Sequence, residues 1–154
     1  MRTGFFYDEQ CFWHTGSGYA FAIPVGDLVQ PLASGGLPED PETKRRIKNL
    51  LNVTCLGEEL NMRSAAPATR EDLERVHTSK YLNDFKSISD IDGGEVIPFS
   101  TTPFTKGGYE LASLSSGLVM GALRSVLLGE QKNAYALARP PGHHCLPDKG
   151  MGFC

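Results

Sequence analysis

The sequence predicts an α/β fold with a mostly parallel central sheet flanked by helices, and three observations carry that prediction. Thr3–Tyr7 is a short, aromatic, β-prone run; residues 109–128 have the pattern of a long helix; and residues 134–138 are an apolar run of strand length. Helices that alternate with short apolar strands point to parallel pairing, because parallel strands need a crossover between them. Composition agrees: 154 residues, 40% hydrophobic and 21% charged, is the balance of one globular domain with a real core.

Each element has a local reason. Thr3–Tyr7 reads as a buried first strand. Residues 11–38 are rich in Gly, Pro and aromatics without a period, which predicts a long irregular loop of the kind that often carries function. Asp40-Pro41-Glu42 opens a helix: an acceptor at the cap, proline at the first helical position, and a carboxylate at the positive end of the dipole. Ile47, Leu50 and Leu51 follow at helical spacing, and Lys44, Arg45, Arg46 and Lys48 are expected on a solvated face. Thr69 with Asp72 predicts a second helix start leading through Leu73 and Val76, and Ser79 caps a short helix through Tyr81, Leu82 and Phe85. Residues 89–106, with Gly93-Gly94, Pro98 and Pro103, predict a loop. The helix over 109–128 is closed by Gly129, and its small residues (Ser113, Ser116, Gly117, Gly121, Ala122) predict close packing and substantial burial.

Charge and cysteine usage exclude several classes. With 15 basic and 18 acidic residues the net charge is -3, which argues against a protein that coats nucleic acid. No apolar run approaches the roughly 20 residues that span a bilayer, and the first residues do not read as a signal peptide, so a cytoplasmic location is expected. Cys11, Cys55, Cys145 and Cys154 are scattered, and free thiols are expected of them in that compartment.

The chemistry concentrates near the C-terminus. Arg139-Pro140-Pro141-Gly142-His143-His144 directly follows the last predicted strand, and in open α/β sheets ligands bind beyond the carboxyl ends of strands. Two prolines and a glycine restrict the turn, which helps to hold two imidazoles in one geometry, and paired histidines can share proton transfer near neutral pH. The plain alternative is an exposed loop feature. A structural zinc site of His143, His144, Cys145 and Cys154 has the right ligand types, but adjacent residues rarely face one metal together. Trp13 and His14 are read as the rim of a site, with packing or simple exposure given equal weight, and His77 as structural without an evident partner.

These residues resemble a known family. Residues 139–144, with Met151-Gly152-Phe153-Cys154 after them, are similar to the active-site segment of histone deacetylases, in the form of class II enzymes and bacterial histone deacetylase-like amidohydrolases. Asp40-Pro41-Glu42, Val76-His77-Thr78-Ser79-Lys80-Tyr81-Leu82 and the segment 102–117 resemble further family segments, in the family's order. The resemblance implies an arginase/deacetylase-type fold, with residues 1–154 forming the N-terminal part of a single deacetylase domain that stops after Gly-Phe-Cys. It implies zinc-dependent hydrolysis of N-acetyl amides, with His144 as main general base and acid and His143 in support. Gly152 would accept the substrate amide through its carbonyl, Phe153 would wall the acyl-lysine channel, and Glu95 would grip the substrate backbone.

The expected substrate is acetyl-lysine or an acetylated small amine. The alternatives are acetylpolyamine hydrolysis and a non-catalytic chain that binds a partner through an uncovered sheet. Two departures stand out: Asp40 replaces a histidine usual before Pro-Glu, and apolar Val96-Ile97-Pro98-Phe99 follows Glu95. The family's zinc ligands, an Asp-x-His pair and a later Asp, would lie beyond Cys154, so no metal ligand is expected in this chain and no turnover from it alone.

Overall fold

A computed structural model describes residues 2–14, 19–20, 23–24 and 39–154. Its elements in chain order are β1 (Thr3–Tyr7), β2 (Tyr19–Ala20), β3 (Ile23–Pro24), α1 (Pro41–Val53), β4 (Leu60–Arg63), α2 (Arg70–Glu74), α3 (Ser79–Ile91), β5 (Gly93–Gly94), β6 (Phe104–Thr105), α4 (Gly108–Leu127) and β7 (Ala134–Leu137). Short 3-10 turns at Glu9–Phe12 and Leu56–Glu59 complete the set.

The central sheet has the order β4-β1-β7, with β1 parallel to both neighbours. Phe5 pairs with Met62 on one side and Tyr135 on the other, so all three strands end on the same side of the molecule. The core is built where α4 crosses this sheet: Phe5, Phe6, Cys11, Phe12, Leu114, Leu118, Ala122 and Leu137 form one buried cluster. Each large side chain there contributes about 1.5–3 kcal/mol of apolar burial. β2 pairs with β3 and β5 with β6, both antiparallel.

Local chemistry explains the starts of the helices. The Asp40 carboxylate accepts from Glu42 N at 2.8 Å and caps α1. Thr69 and Asp72 form a reciprocal capping box for α2. That helix ends at Glu74 rather than continuing through Val76, and α3 is capped by Thr78, whose hydroxyl accepts from Tyr81 N, not by Ser79. α3 is also longer than expected, running to Ile91, so the following loop starts later and holds the β5/β6 pair.

Three further expectations need correction. Of the apolar stripe on α1 only Leu51 packs on the core, while Ile47 and Leu50 are exposed. The basic run is not simply solvated: Arg45 donates to Phe12 O at 2.8 Å and pairs with Glu9 and Glu42, and Lys48 lies 4.9 Å above the Tyr7 ring. α4 buries only one side: Leu114 and Leu118 are in the core, while Val119, Leu123 and Leu127 are exposed. The long loop expected over 11–38 falls mostly outside the described residues.

Among the described residues nothing pairs with the outer edges of β4 and β7. No described helix is long and apolar enough to cross a membrane. The four cysteines are free thiols, as expected.

Candidate active site

The chain leaves β7 at Leu137, passes the buried Arg139, and turns outward through 140–144. Ser115 on α4 donates to Pro140 O at 2.7 Å, fastening the start of this turn to the long helix. His143 and His144 then stand at the surface with ring centroids 4.1 Å apart and planes at 58°.

The segment 150–154 folds back onto these rings. His144 N donates to Cys154 Sγ at 3.2 Å. Gly152 sits against His144: a Cβ added there would lie 3.0 Å from His144 Cδ2, and the backbone has φ +55°. Glycine satisfies both demands, having no side chain to meet the ring and no penalty in the left-handed region. Phe153 also has positive φ, 65°, as do Phe99 and Thr101, both at 61°. These strained positions are held to one another, since Gly152 N donates to Thr101 Oγ1 at 3.1 Å and Phe153 N donates to Thr101 O at 2.8 Å.

Glu95 belongs to the same assembly. Its carboxylate accepts from Phe99 N and Thr102 N, each at 2.9 Å, and thereby closes the loop that presents Thr101. The structure thus places His143, His144, Gly152 and Phe153 together, and turns Glu95 into its own loop two hydrogen bonds away.

A groove of about 660 Å³ opens beside His143, between α3, α4 and the histidine turn; His77, Tyr81, Met120, Pro141 and Cys145 are among its walls. Sequence reasoning left His77 without a partner, yet its Nδ1 lies 3.3 Å from Pro147 O and its Nε2 4.0 Å from Cys145 Sγ. Burial pushes the Tyr81 hydroxyl up to about 12, so it stays protonated at neutral pH. Thr101 and the position of Tyr81 beside the histidine turn were missed because their contacts to the site span tens of residues.

His14 is buried and Trp13 is 76% exposed, which divides the pair between packing and surface. His14 Nε2 accepts from Thr105 N at 3.2 Å, and burial, with Arg139 adding repulsion, holds its pKa at about 4 instead of 6.5. An unfolded chain takes up this proton near pH 6.5 and the folded chain only near pH 4. Stability is therefore fully present above pH 6.5 and falls as pH drops from 6.5 towards 4. His14→Gln should flatten that part of the pH dependence; urea midpoints at pH 7.5, 5.5 and 4.5 with the wild-type slope would show that His14 is not responsible.

The described donors do not compose a metal centre. Among the described residues no three His, Cys, Asp or Glu side chains converge to hold an ion. The Cys145 thiol lies 3.3 Å from Gly142 O, and Cys154 Sγ is engaged by the His144 amide.

Comparison with known proteins bears directly on this arrangement. Residues 37–154 match the histone deacetylase domain. The chain is 54% identical over 153 residues to a histone deacetylase-like amidohydrolase of Pseudomonas aeruginosa, covering 99% of this chain and 40% of that protein. It is 33% identical over 149 residues to histone deacetylase 8 of Arabidopsis thaliana, covering 93% of this chain and 39% of that protein. The solved HDA15 HD domain superposes with a TM-score of 0.81 at 26% identity, over 99% of this chain and 40% of that one. The chain thus spans about 40% of the length of these relatives. A family match over more than half of the chain places this chain in the histone deacetylase family.

Proposed function

We propose that the chain supplies the proton-handling part of a deacetylase site that hydrolyses the N-acetyl amide of lysine or of a related acetylated amine. The observation that supports this reading is the pair of imidazoles 4.1 Å apart, with Gly152 packed on His144. In the reaction a water oxygen bonds to the carbonyl carbon, the carbon–nitrogen bond breaks, and acetate and a free amine result. His144 accepts the proton of the attacking water and delivers one to the departing nitrogen, while His143 supports the charge that His144 gains. Gly152 offers its carbonyl to the substrate amide, and Phe153 walls the channel. Glu95 acts on the substrate indirectly, through the loop that holds Thr101 against Gly152 and Phe153.

The family membership implies zinc, which would polarise the carbonyl and activate water. Among the described residues no three donors converge to hold it, and we assign its ligands to residues outside that set. The test combines this chain with the part of the Pseudomonas aeruginosa relative that it does not match, and follows acetate release from an acetyl-lysine peptide. We expect no turnover from this chain alone and zinc-dependent turnover from the pair. Zinc-dependent turnover by this chain alone would overturn the division of labour, and an inactive but stably formed pair with zinc bound would overturn the deacetylase reading.

A further inference from the structure

Arg139 is 3% exposed, which is an expensive place for a guanidinium unless its donors are matched. The two Nη groups are matched by backbone carbonyls, while Nε makes an ion-pair contact without a hydrogen bond. Nη1 donates to Cys11 O at 3.0 Å and also to His14 O; Nη2 donates to Glu39 O at 3.4 Å; and Nε lies 2.7 Å from Glu39 Oε2. Glu39 in turn pairs with Lys44 at the start of α1. His14 and Glu39, 25 positions apart in the chain, thus meet on one side chain.

The same residue starts the histidine turn. Its neighbour Pro140 is held by Ser115, and His143 follows three residues later. His14 carries the connection onward, because its ring accepts from Thr105 N in β6.

We propose that Arg139 is a positioning residue: its guanidinium clasps the backbone at Cys11, His14 and Glu39 and ties it to the turn carrying His143 and His144. Only arginine offers a planar fork with enough donors to reach three carbonyls and a carboxylate at once. A lysine keeps the charge opposite Glu39 but loses the fork. The clasp matters for catalysis only if the histidines act as proposed above, but it can be tested without turnover.

The experiment is native-state amide hydrogen exchange on the 154-residue chain, comparing wild type, Arg139→Lys and Glu39→Gln. We expect Arg139→Lys to speed exchange of the Thr105 and His144 amides by about tenfold or more, the scale set by losing one charge-assisted hydrogen bond. The β1 amides of Phe5 and Phe6 should change by less than about twofold, since they open only with the core. Should Arg139→Lys not fold, Glu39→Gln retains the bonds from Arg139 to Cys11 O and His14 O, and a smaller acceleration is expected at the same two amides. Wild-type rates at Thr105 and His144 would overturn the proposal. So would an equal acceleration of every amide, which is what a merely stabilising arginine produces. Because no turnover is read, failure here and failure of the deacetylase reading are separate results.

Discussion

Gly117→Ala should lower the stability of the chain by about 2 kcal/mol or more, even though alanine is the better helix former. The helix-propensity gain from replacing glycine in a helix interior is about 1 kcal/mol. Against it stands a collision: a Cβ at Gly117 would lie 2.1 Å from Ala66 O, and 2.9 Å from both Ala68 N and Pro67 Cα. All three are backbone atoms, so no side chain can swing away. The crossing is also held by a hydrogen bond from Ala68 N to Ser113 O at 2.9 Å, which any separation of helix and strand-exit loop must stretch. Overpacking of a tight core costs about 1–3 kcal/mol, and displacing main chain belongs at or above the upper end. Gly121→Ala is the internal comparison, because its Cβ would meet mainly the Ala65 methyl at 2.7 Å and the Phe6 ring at 3.4 Å, and side chains give more readily than main chain. Urea denaturation of both variants decides the matter: Gly117→Ala should have clearly the lower midpoint. Equal midpoints, or a gain for Gly117→Ala, would show that the helix is not seated as closely as described.

That close seating was partly legible in the sequence, since small residues spaced along 109–128 announced a helix that something approaches. What approaches it was not legible. The strand β4, whose exit loop makes the contact, reads Leu-Asn-Met-Arg, an alternation only four residues long with no β-branched residue. It becomes a strand because β1 offers it a partner, with Thr3 to Phe6 in register with Leu60 to Arg63. Such pairing is a tertiary decision that local propensity does not record. The uncovered side of α4 has a similar origin. Val119, Leu123 and Leu127 are as apolar as Leu114 and Leu118, and only the position of the sheet separates the exposed set from the buried one. The capping error was smaller: Thr78 and Ser79 are both good cap residues, and the helix axis chose the first.

The site shows the same division. His143 and His144 announced themselves because a stiff turn after a strand carries its chemistry in consecutive residues. Thr101 reaches Gly152 across 51 positions, and no pattern near either residue points to the other. Glu95 was legible as an acid in that loop. The direction of its carboxylate, into amides four and seven positions further on, was not.

In the complemented deacetylase proposed above, His144→Ala should reduce kcat by about 10²–10⁴-fold, the range that a positioned general acid–base group contributes. KM should change little, because the ring handles protons rather than holding the acyl chain. His143→Ala should cost less, since that ring supports the charge instead of carrying the proton. The 4.1 Å separation nevertheless lets each imidazole stabilise or oppose a proton on the other, so the double variant should not show the product of the two single losses. Gly152→Ala separates geometry from chemistry. It leaves both imidazoles in place, but its Cβ would press on His144 Cδ2 from 3.0 Å and its backbone would be strained at φ +55°. If His144 works only when seated against this turn, Gly152→Ala should lose much of the kcat that His144→Ala loses, while the chain still folds and still pairs. A Gly152→Ala enzyme with wild-type kcat would mean that the turn is not what positions His144. A His143→Ala loss larger than that of His144→Ala would reverse the assignment of the two rings, because the ring that moves the proton has the most to lose.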